Sequence, residues 1–428
     1  MSSSPRAMHI VLNGVTEDSR VLKCAWSLGN AGWDVLVCGA RPNHHDDQLK
    51  IGYTNIERVH LKIVVKQSFI AFILRALRYY KRRFQMKYLP IKEPTIPNLG
   101  RARSTLKPIA LKFKPDVIHA HDYTALPIAG ALVEYLATQG HTAQLVYDAH
   151  EYVPGVSHLN APLKVVYTRE EKRYSAVAAT VLSVSEGMSD LLIPHLGLTS
   201  RPELVANDPL FEGQQPCPKN MRQDCGISDQ TPLLVYSGAV APQRGLATVL
   251  EALKGLPGVH LALIANPKNQ TVLDLQSQYV ALKDRFHVLP YVPNSELVSY
   301  LSAADIGLIP IHHKLNHEIS LITKFGEYMQ ARLPIVVSDV RTMAAEVKRL
   351  GNGEVFIAED VADFSVAVNK VLANKAKYQS AYSDEVLKER SWERQAENLV
   401  NIYNRIAQTN PVARVHMPFA VITKQAPQ

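Results

Sequence analysis

The sequence predicts an α/β protein with two doubly wound parallel sheets, one in each of two domains that face each other across a cleft. Short apolar segments alternate with helical segments along most of the chain, a pattern typical of parallel sheets covered by helices on both faces. The length of 428 residues exceeds what one hydrophobic core usually serves, which favours two domains. Ligands of such sheets bind at the carboxyl ends of the strands, so residues that follow strands are the first candidates for a site.

Candidate strands and one proline-rich break define the predicted domains. Before the break, apolar segments lie at residues 8–13, 33–39, 59–65, 116–120, 144–148 and 180–183. The break, residues 207–219, has prolines and no periodic pattern, which indicates an interdomain linker. Further candidate strands lie at residues 233–237, 259–265, 286–289, 306–310 and 335–338. We expect a first domain over 1–206, completed by a helix at about 390–410, a second domain over 207–389, and a disordered tail at 411–428.

The helix after the first strand of each half shows one apolar face, as a helix packed on a sheet should. In the first half this face contains Val21, Leu22, Ala25 and Leu28, and Thr16 or Asp18 can cap the helix. In the second half it contains Leu246, Val249, Leu250, Leu253 and Leu256.

Composition excludes several classes of protein. With 46% hydrophobic and 20% charged residues, the chain resembles ordinary globular proteins. No segment reaches the roughly 20 apolar residues that span a bilayer, and the apolar start is too short for a signal peptide. We therefore expect a cytoplasmic protein. The four cysteines lack the spacing of a zinc site, and the loop His44-His45-Asp46-Asp47 is interpreted as a solvated turn, so no metal is expected.

Positive charge concentrates in one segment. Residues 66–114 contain thirteen Lys or Arg and a single acid, Glu93. Within it, an apolar helical face stands beside a basic face formed by Arg75, Arg78 and Arg82, as in helices on anionic membrane surfaces. The alternative is a helix that packs on its own domain with a solvated basic side. Nucleic acid is disfavoured, because no recognition motif accompanies the charge.

The strongest candidate site is the segment Tyr236-Ser-Gly-Ala-Val-Ala-Pro-Gln-Arg244-Gly245. Gly238 permits close approach of a ligand to the backbone. Arg244 is placed where a helix begins, so its guanidinium and the free N–H groups suit a diphosphate. The alternative is an ordinary strand–helix turn with a solvated arginine.

A second candidate is the helix that contains Lys324 and Glu327. The two residues are three apart and share one helix face. Lys324 can neutralise a phosphate, and Glu327 can accept hydrogen bonds from a ribose diol. The alternative is a surface salt bridge, worth only about 0.2–0.5 kcal/mol.

In the first half, polar residues follow two candidate strands. His119 and His121 share one strand face; we expect His121 to reach the cleft at the strand end and His119 to be packed inside. His150 and Glu151 follow another strand and are expected to line the cleft, with a capping cluster as the alternative. No Gly-x-Gly-x-x-Gly follows the first strand, which argues against a dinucleotide-binding dehydrogenase.

These motifs, in this order, resemble those of family-4 retaining glycosyltransferases of the GT-B fold, which has two Rossmann-like domains. Residues 238–245 resemble the diphosphate loop of that family, residues 292–308 its helix–strand segment before the donor site, and Lys324-Phe-Gly-Glu327-Tyr-Met its donor helix. The resemblance extends from about residue 8 to 406. It implies that Glu327 holds the donor ribose, that Arg244 and Lys324 hold the diphosphate, and that His121 lies beside the donor sugar.

The resemblance implies further site residues. Gly14, Gly238, Thr323 and Glu318 join the donor-binding set, Asp122 joins His121, Arg244 and Lys324 as catalytic, and Asp18 and Arg20 join His150 and Glu151 on the acceptor side. Many members have a glutamate at the position of Ile319, so Glu318 either substitutes through a shifted loop or the contact is absent. Ala239 stands where many members have arginine, so the diphosphate loop can offer one positively charged side chain fewer to the donor.

The expected function is transfer of a hexose-type sugar from a nucleotide-diphosphate sugar to a glycan or lipid-linked acceptor in surface polysaccharide or glycoconjugate synthesis. The resemblance implies retention of configuration, no cofactor and no metal. The basic helix suggests an alternative location for the protein, attached peripherally to the inner face of the cell membrane. Two rival functions stay open: a GT-B scaffold or sugar-nucleotide-binding protein without catalysis, and a nucleotide-sugar epimerase.

Overall fold

A computed structural model describes residues 4–15, 18–40, 47–51, 54–59, 96 and 99–408 of the chain. They form two compact units: the first contains residues 1–25 and 32–181, and the second contains residues 26–31 and 182–428. The predicted domain boundaries at residues 206 and 389 stay a prediction. The expected tail at 411–428 and the basic residues Arg75, Arg78 and Arg82 lie outside the described residues.

The first sheet has eight strands in the order β3-β4-β2-β1-β5-β6-β7-β8. Their bounds are β1 Arg6–Ile10, β2 Asp34–Ala40, β3 Asp47–Ile51, β4 Thr54–Val59, β5 Val117–His121, β6 Gln144–Ala149, β7 Thr180–Ser183 and β8 Glu203–Leu204. β1 pairs in parallel with β2 and β5, and β5 pairs in parallel with β6. The helices along this part of the chain are α1 Ser19–Asn30, α2 Leu99–Phe113, α3 Asp122–Thr138, α4 Ala161–Ser175 and α5 Glu186–Leu196.

The second sheet has six strands in the order β11-β10-β9-β12-β13-β14, and every pair is parallel. Their bounds are β9 Leu233–Ser237, β10 His260–Ile264, β11 Phe286–Leu289, β12 Ile306–Ile309, β13 Ile335–Ser338 and β14 Gly353–Phe356. The helices are α6 Met221–Asp224, α7 Leu246–Lys254, α8 Gln270–Gln278, α9 Asn294–Leu301, α10 Leu315–Ile319, α11 Thr323–Gln330, α12 Arg341–Leu350, α13 Val361–Ala373, α14 Lys375–Gln379, α15 Asp384–Glu389 and α16 Trp392–Ala407.

The predicted fold class, two α/β units with parallel sheets, is confirmed. All residues of β9, β12 and β13 are buried, as expected for strands covered on both faces. The predicted apolar faces of α1 and α7 are buried as well. Residues 207–219 contain neither helix nor strand, and α16, Trp392–Ala407, lies where a helix was predicted at about 390–410.

Two details near the edge of the first sheet differ from the prediction. The strand expected at 59–65 overlaps the observed β4, Thr54–Val59, at residue 59 alone; residues 60–65 lie outside the described part, so the rest of that prediction stays a prediction. Asp47, expected in a solvated turn, begins β3, which pairs antiparallel with β4. The alternating sequence Asp-Gln-Leu-Lys-Ile explains this, because period-2 alternation suits an edge strand with one solvated face. His44, His45 and Asp46 lie outside the described residues.

Each sheet contains a point where the strand order reverses. In the first sheet the neighbours β1 and β5 connect onward to opposite sides, and in the second sheet β9 and β12 do the same. Loops that leave the carboxyl ends of such a strand pair separate and open a crevice for ligands. The segments that follow β1, β5, β9 and β12 are therefore the places to look for a site.

No helix in the described ranges combines the length and apolarity needed to cross a membrane.

Candidate functional site

Gly238 and Lys324 meet at the carboxyl end of β9. Gly238 has φ +112°, and a Cβ built on it would lie 3.2 Å from Lys324 Nζ. The same ammonium lies 4.6 Å from the centre of the Tyr236 ring, close enough for a cation–π contact. The glycine thus leaves room for the lysine, and the aromatic face holds the ammonium beside the loop.

Arg244 lies in a 3-10 turn, Pro242–Arg244, directly before Gly245 and α7. Gly245 has φ +73°, and a Cβ on it would lie 1.6 Å from the carbonyl oxygen of Pro310. No other residue fits there without movement of the backbone. The close approach joins the loop after β9 to the end of β12, the two strands at the reversal of the sheet.

The cations of this group influence each other. Burial and the Arg244 guanidinium lower the pKa of Lys324 to about 8, and Glu327 opposes the shift. Burial also lowers the pKa of His317, with a further contribution from Arg244; His317 Nδ1 lies 2.7 Å from the His312 carbonyl oxygen. A bound diphosphate would favour the protonated lysine, so this group has the charge of an anion site.

Glu318 has partners within its own unit. Its Oε2 accepts a hydrogen bond from the backbone N–H of Arg341 at the start of α12, over 2.8 Å. Its Oε1 lies 2.5 Å from His313 Nδ1, whose other ring nitrogen lies 3.0 Å from Asp339 Oδ1. The hydrogen bond to Glu318 raises the pKa of His313. These contacts give Glu318 a capping role, and its contact with a donor stays a prediction.

Thr323 is the first residue of α11, and its hydroxyl accepts a hydrogen bond from Asn207 Nδ2 over 3.4 Å. Tyr328 belongs to the same helix, four residues after Lys324, and its side chain is fully buried. Its hydroxyl lies 3.2 Å from Ser237 N, 3.3 Å from Val235 O and 3.4 Å from Leu308 O. α11 is thereby fixed to both β9 and β12.

A buried ion pair organises the first unit. Asp148, in β6, accepts hydrogen bonds from Arg20 at both carboxylate oxygens: Nη2 to Oδ1 over 2.6 Å and Nε to Oδ2 over 2.9 Å. Their side chains are 0% and 4% exposed. The Arg20 guanidinium and the neighbouring histidines outweigh burial and hold the pKa of Asp148 well below its ordinary range.

Three histidine rings stack beside this pair. The ring centroids of His9 and His119 are 4.6 Å apart, and those of His119 and His121 are 4.1 Å apart. His9 Nδ1 lies 2.9 Å from His121 Nε2, and His121 Nδ1 lies 3.2 Å from Asp148 Oδ2. Burial lowers the pKa of all three rings, and of His121 to about 3. They are therefore neutral around pH 7.

His119 is packed inside the unit, as predicted, but the expectation that His121 reaches the open strand end is wrong. Both residues are fully buried. Side chains from both neighbouring strands, His9 of β1 and Asp148 of β6, lie beside them on the same face of the sheet, so the position of His121 at the end of β5 does not expose it. Its role beside a donor sugar stays a prediction.

His150 and Asp122 are more accessible. His150 Nε2 lies 2.9 Å from Asp148 Oδ2, and the side chain is 22% exposed. Burial lowers the pKa of His150, but the Asp148 carboxylate outweighs it and leaves the pKa raised. Asp122, the first residue of α3, is partly buried and has φ +69°. Burial raises its pKa to about 7.

The remaining acceptor-side candidates have simpler surroundings. Asp18 Oδ1 accepts a hydrogen bond from Val21 N over 3.1 Å and caps α1, one of the two predicted caps; Asn13 Nδ2 donates to its other oxygen. Gly14 has open space where a Cβ would lie. Glu151 is exposed.

Two sets of side chains in the described residues have potential ligand atoms within 4.8 Å of one another: His9, His119 and His121, and His121, Asp148 and His150. In the first set, His9 Nδ1 and His121 Nε2 already lie at hydrogen-bond distance from each other, 2.9 Å apart. In the second set, Arg20 already neutralises Asp148. We identify none of them as metal ligands, and the expected absence of a metal and of a cofactor stays a prediction.

Sequence reasoning missed Asp148, His9 and Tyr328 as parts of these groups. Asp148 has a recognisable signal, since an acid that ends a buried strand needs a partner cation. A single sequence gives no such signal for His9 or Tyr328. The contacts of His9 come from the strand that pairs with β1, and the Tyr328 ring packs where Gly307 has no side chain.

Comparisons with known proteins show the family and the fold of the chain. The glycosyl transferase 4-like domain matches residues 19–208, and the model of glycosyl transferases group 1 matches residues 219–410. A protein assigned to teichuronic acid biosynthesis as a glycosyltransferase, from Bacillus subtilis, is 25% identical over 53% of this chain and 54% of its own length. The chain thus spans about half the length of that relative.

Two further similarities cover more of the chain. The D-inositol 3-phosphate glycosyltransferase of Xylanimonas cellulosilytica is 22% identical over 69% of this chain and 73% of its own length. The solved structure of a sucrose-phosphate synthase from Thermosynechococcus elongatus matches with a TM-score of 0.72 at 16% identity, over 94% of this chain and 99% of the other. The chain therefore belongs to the family-4-type glycosyltransferases with the GT-B fold.

Proposed function

We propose that this glycosyltransferase moves a hexose-type sugar from a nucleotide-diphosphate sugar to a glycan or lipid-linked acceptor, with retention of configuration and without a metal or cofactor. The observation that carries the proposal is the group of Gly238, Arg244 and Lys324 at the carboxyl end of β9. It combines a glycine loop with two cations at the strand reversal of the second sheet.

In this proposal, Arg244 and Lys324 bind the diphosphate and Glu327 binds the ribose. As the bond between the sugar and the diphosphate breaks, negative charge grows on the leaving phosphate. Cations placed beforehand at that point stabilise this charge more than they stabilise the intact donor, which lowers the barrier. The lowered pKa of Lys324 supports the proposal, because the ammonium gains most from an arriving anion.

The acceptor half of the proposal rests on the first unit. The proposed acceptor-side residues lie at the carboxyl ends of the strands, where ligands of such sheets bind. They are Asp122 after β5, His150 and Glu151 after β6, and Arg20 in α1, which follows β1. The relatives from B. subtilis and X. cellulosilytica are named for teichuronic acid biosynthesis and for an inositol phosphate substrate. A role in surface polysaccharide or glycoconjugate synthesis is proposed by analogy. Attachment to the inner face of the cell membrane through Arg75, Arg78 and Arg82 is proposed from the sequence alone.

A donor screen tests this proposal. Release of nucleoside diphosphate from UDP-, GDP- and dTDP-sugars is followed by mass spectrometry with a lipid extract as the source of acceptor. The test variant is Arg244→Ala with Lys324→Ala. The control is Lys254→Ala with Arg394→Ala, which removes two exposed cations of the same unit, each in an i,i+3 ion pair.

Release from one donor, kept in the control and lost in the test variant, is the expected result. A donor converted to its epimer without release would favour the epimerase. No release and no conversion with any donor would favour a scaffold without catalysis and contradict the proposal.

A further inference from the structure

The loop after β12 is held against the turn that contains Arg244. The backbone N–H of His312 donates a hydrogen bond to the Gln243 carbonyl oxygen over 3.0 Å. The carbonyl oxygen of Pro310 lies where a side chain at Gly245 would begin, since a Cβ built there would lie 1.6 Å from that oxygen. The backbone after β12 thus packs directly on this turn, and side chains of the loop lie close to Arg244.

The ring of His317 is fixed to the same loop by one of its two nitrogens. Its Nδ1 lies 2.7 Å from the His312 carbonyl oxygen. A carbonyl oxygen only accepts hydrogen bonds, so Nδ1 must carry a proton, and in the neutral ring Nε2 then has a free lone pair. The ring is half-buried, and Nε2 makes no hydrogen bond to any residue that the structure describes. One nitrogen is therefore held by the protein, and the other is available to a ligand.

Positively charged groups dominate the surroundings of this ring. Burial is the largest cause that lowers the pKa of His317, and the hydrogen bond to the His312 carbonyl opposes it. Arg244 from the turn after β9, together with His312 and Lys314 of the loop, lowers the pKa further. The nearest acid to the loop on the β14 side is Glu359, whose Oε1 lies 3.7 Å from His312 Nδ1. Without a ligand the ring is thus neutral near pH 7, and an anion beside it would favour the protonated form.

We propose that His317 is a further binding residue for the donor diphosphate, with Nε2 donating a hydrogen bond to a phosphate oxygen; the inference rests on the proposed function. Nε2 can donate only after it has taken a proton from solution, which the negative charge of the diphosphate favours. Arg244 and Lys324 bring positive charge to the site before the donor arrives, whereas His317 adds its charge only with the donor bound. The ring then supplies a positive charge that Ala239 does not.

The test measures binding of UDP, GDP and dTDP to the full chain by isothermal titration calorimetry, between about pH 6 and pH 8. Each titration is repeated in buffers with different enthalpies of ionisation, because the dependence of the heat on the buffer counts the protons taken up on binding. Protons that the nucleotide itself gains or loses are the same for every variant. Differences between variants therefore report on the protein.

Two substitutions separate the two ring nitrogens. His317→Asn places an amide N–H near the position of Nδ1, so the hydrogen bond to the His312 carbonyl can persist while Nε2 is absent. His317→Gln places an amide N–H near the position of Nε2, and this donor needs no proton. The control is His141→Asn in the first unit, because the ring of His141 also lies 2.7 Å from a backbone carbonyl oxygen, that of Pro115.

At pH 7, His317→Asn should bind the nucleoside diphosphate about 10-fold or more weakly than the wild type and His141→Asn, because one hydrogen bond to a charged group is lost. The wild type should take up as much as about one proton more than His317→Asn. Its affinity should fall as the pH rises towards the pKa of the ring in the complex, by up to about 10-fold per pH unit. His317→Gln should lack this pH dependence and bind more tightly than His317→Asn at pH 8.

The outcomes distinguish the inference from the function on which it rests. Equal affinity and equal proton uptake in His317→Asn and the wild type would overturn the inference while the proposed function stands. Weaker binding by His317→Asn with unchanged proton uptake would also overturn it, since the ring would then only hold the loop in place. If the wild type binds none of the three nucleotides, or if Arg244→Ala with Lys324→Ala binds them equally well, the proposed function itself fails.

Discussion

Replacement of Arg20 by methionine should destabilise the first unit strongly and in a pH-dependent way. Methionine keeps much of the volume but removes the only guanidinium that pairs with Asp148 among the described residues. Loss of one partner from a buried ion pair costs about 3–5 kcal/mol, because the other charge is left without compensation. The exposed pair Arg173–Glu134, with side chains 56% and 52% exposed, is the matched control; Arg173→Met should cost about 1 kcal/mol or less.

The histidines next to Asp148 determine how the loss varies with pH. In the wild type, burial lowers the pKa of His119 and opposes the rise that Asp148 causes in the pKa of His150, and the Arg20 guanidinium adds to the lowering of both. Without Arg20, Asp148 can recruit a proton onto a neighbouring histidine and raise its pKa above the unfolded value of about 6.5. Such a histidine stabilises the folded state below pH 6.5, and this contribution is lost as the pH rises through the folded pKa. The destabilisation by Arg20→Met should thus be larger at pH 8 than at pH 5.5.

Hydrogen exchange of peptides from β5 and β6, followed by mass spectrometry, measures the local free energy of opening without assuming that the two units unfold together. The variants are compared at pH 5.5 and 8 after correction for the intrinsic exchange rate. A loss below about 1 kcal/mol for Arg20→Met at pH 8, or an equal loss at both pH values, would refute the argument that Arg20 is the main counter-charge of Asp148.

Three further predictions concern the second unit. Gly245→Ala should lower the free energy of unfolding by about 2 kcal/mol or more, since a Cβ would lie 1.6 Å from Pro310 O. The control Gly255→Ala, directly after α7 and with φ −93°, should lower the thermal midpoint far less, and equal midpoints in the two variants would contradict the steric argument. Tyr328→Phe leaves Ser237 N without its hydroxyl partner and should lower the free energy of unfolding in urea by about 1–3 kcal/mol. Tyr291 is exposed, so the control Tyr291→Phe should leave that free energy nearly unchanged. Burial lowers the pKa of both His260 and His287, whose ring nitrogens lie 2.9 Å apart. Because the unfolded chain then binds protons at a higher pH than the folded chain does, the thermal midpoint should fall as the pH drops below about 6.5. His287→Gln should weaken that pH dependence, and an unchanged dependence would exclude this pair as its source.

The alternation of strands and helices in the sequence predicted the fold class, because parallel sheets impose that order on any chain. The apolar faces of α1 and α7 followed from the helical period. The edge strand β3 did not, since a short segment of mixed polar and apolar residues becomes a strand through its pairing with β4, which lies later in the chain.

The candidate sites were predictable to the extent that their residues are adjacent in sequence. Gly238, Arg244 and Lys324 were recognised from two motifs, and the structure brings these motifs together. The burial of His121 was not predictable, because it depends on His9 from one neighbouring strand and Asp148 from the other. Contacts between strands far apart in the chain leave little trace in a single sequence.

The packing of Tyr328 over Gly307 has a consequence for how relatives of this protein can diverge. A Cβ at residue 307 would lie 2.4 Å from the Tyr328 ring, so a larger side chain at 307 requires a smaller one at 328, and the two positions should be inherited as a pair. Tyr328 also receives a hydrogen bond from Ser237 N and so fixes α11 to β9. A change at residue 307 alone would therefore displace the helix that contains Lys324 and Glu327, whereas a paired change at 307 and 328 would let that helix keep its position on the sheet.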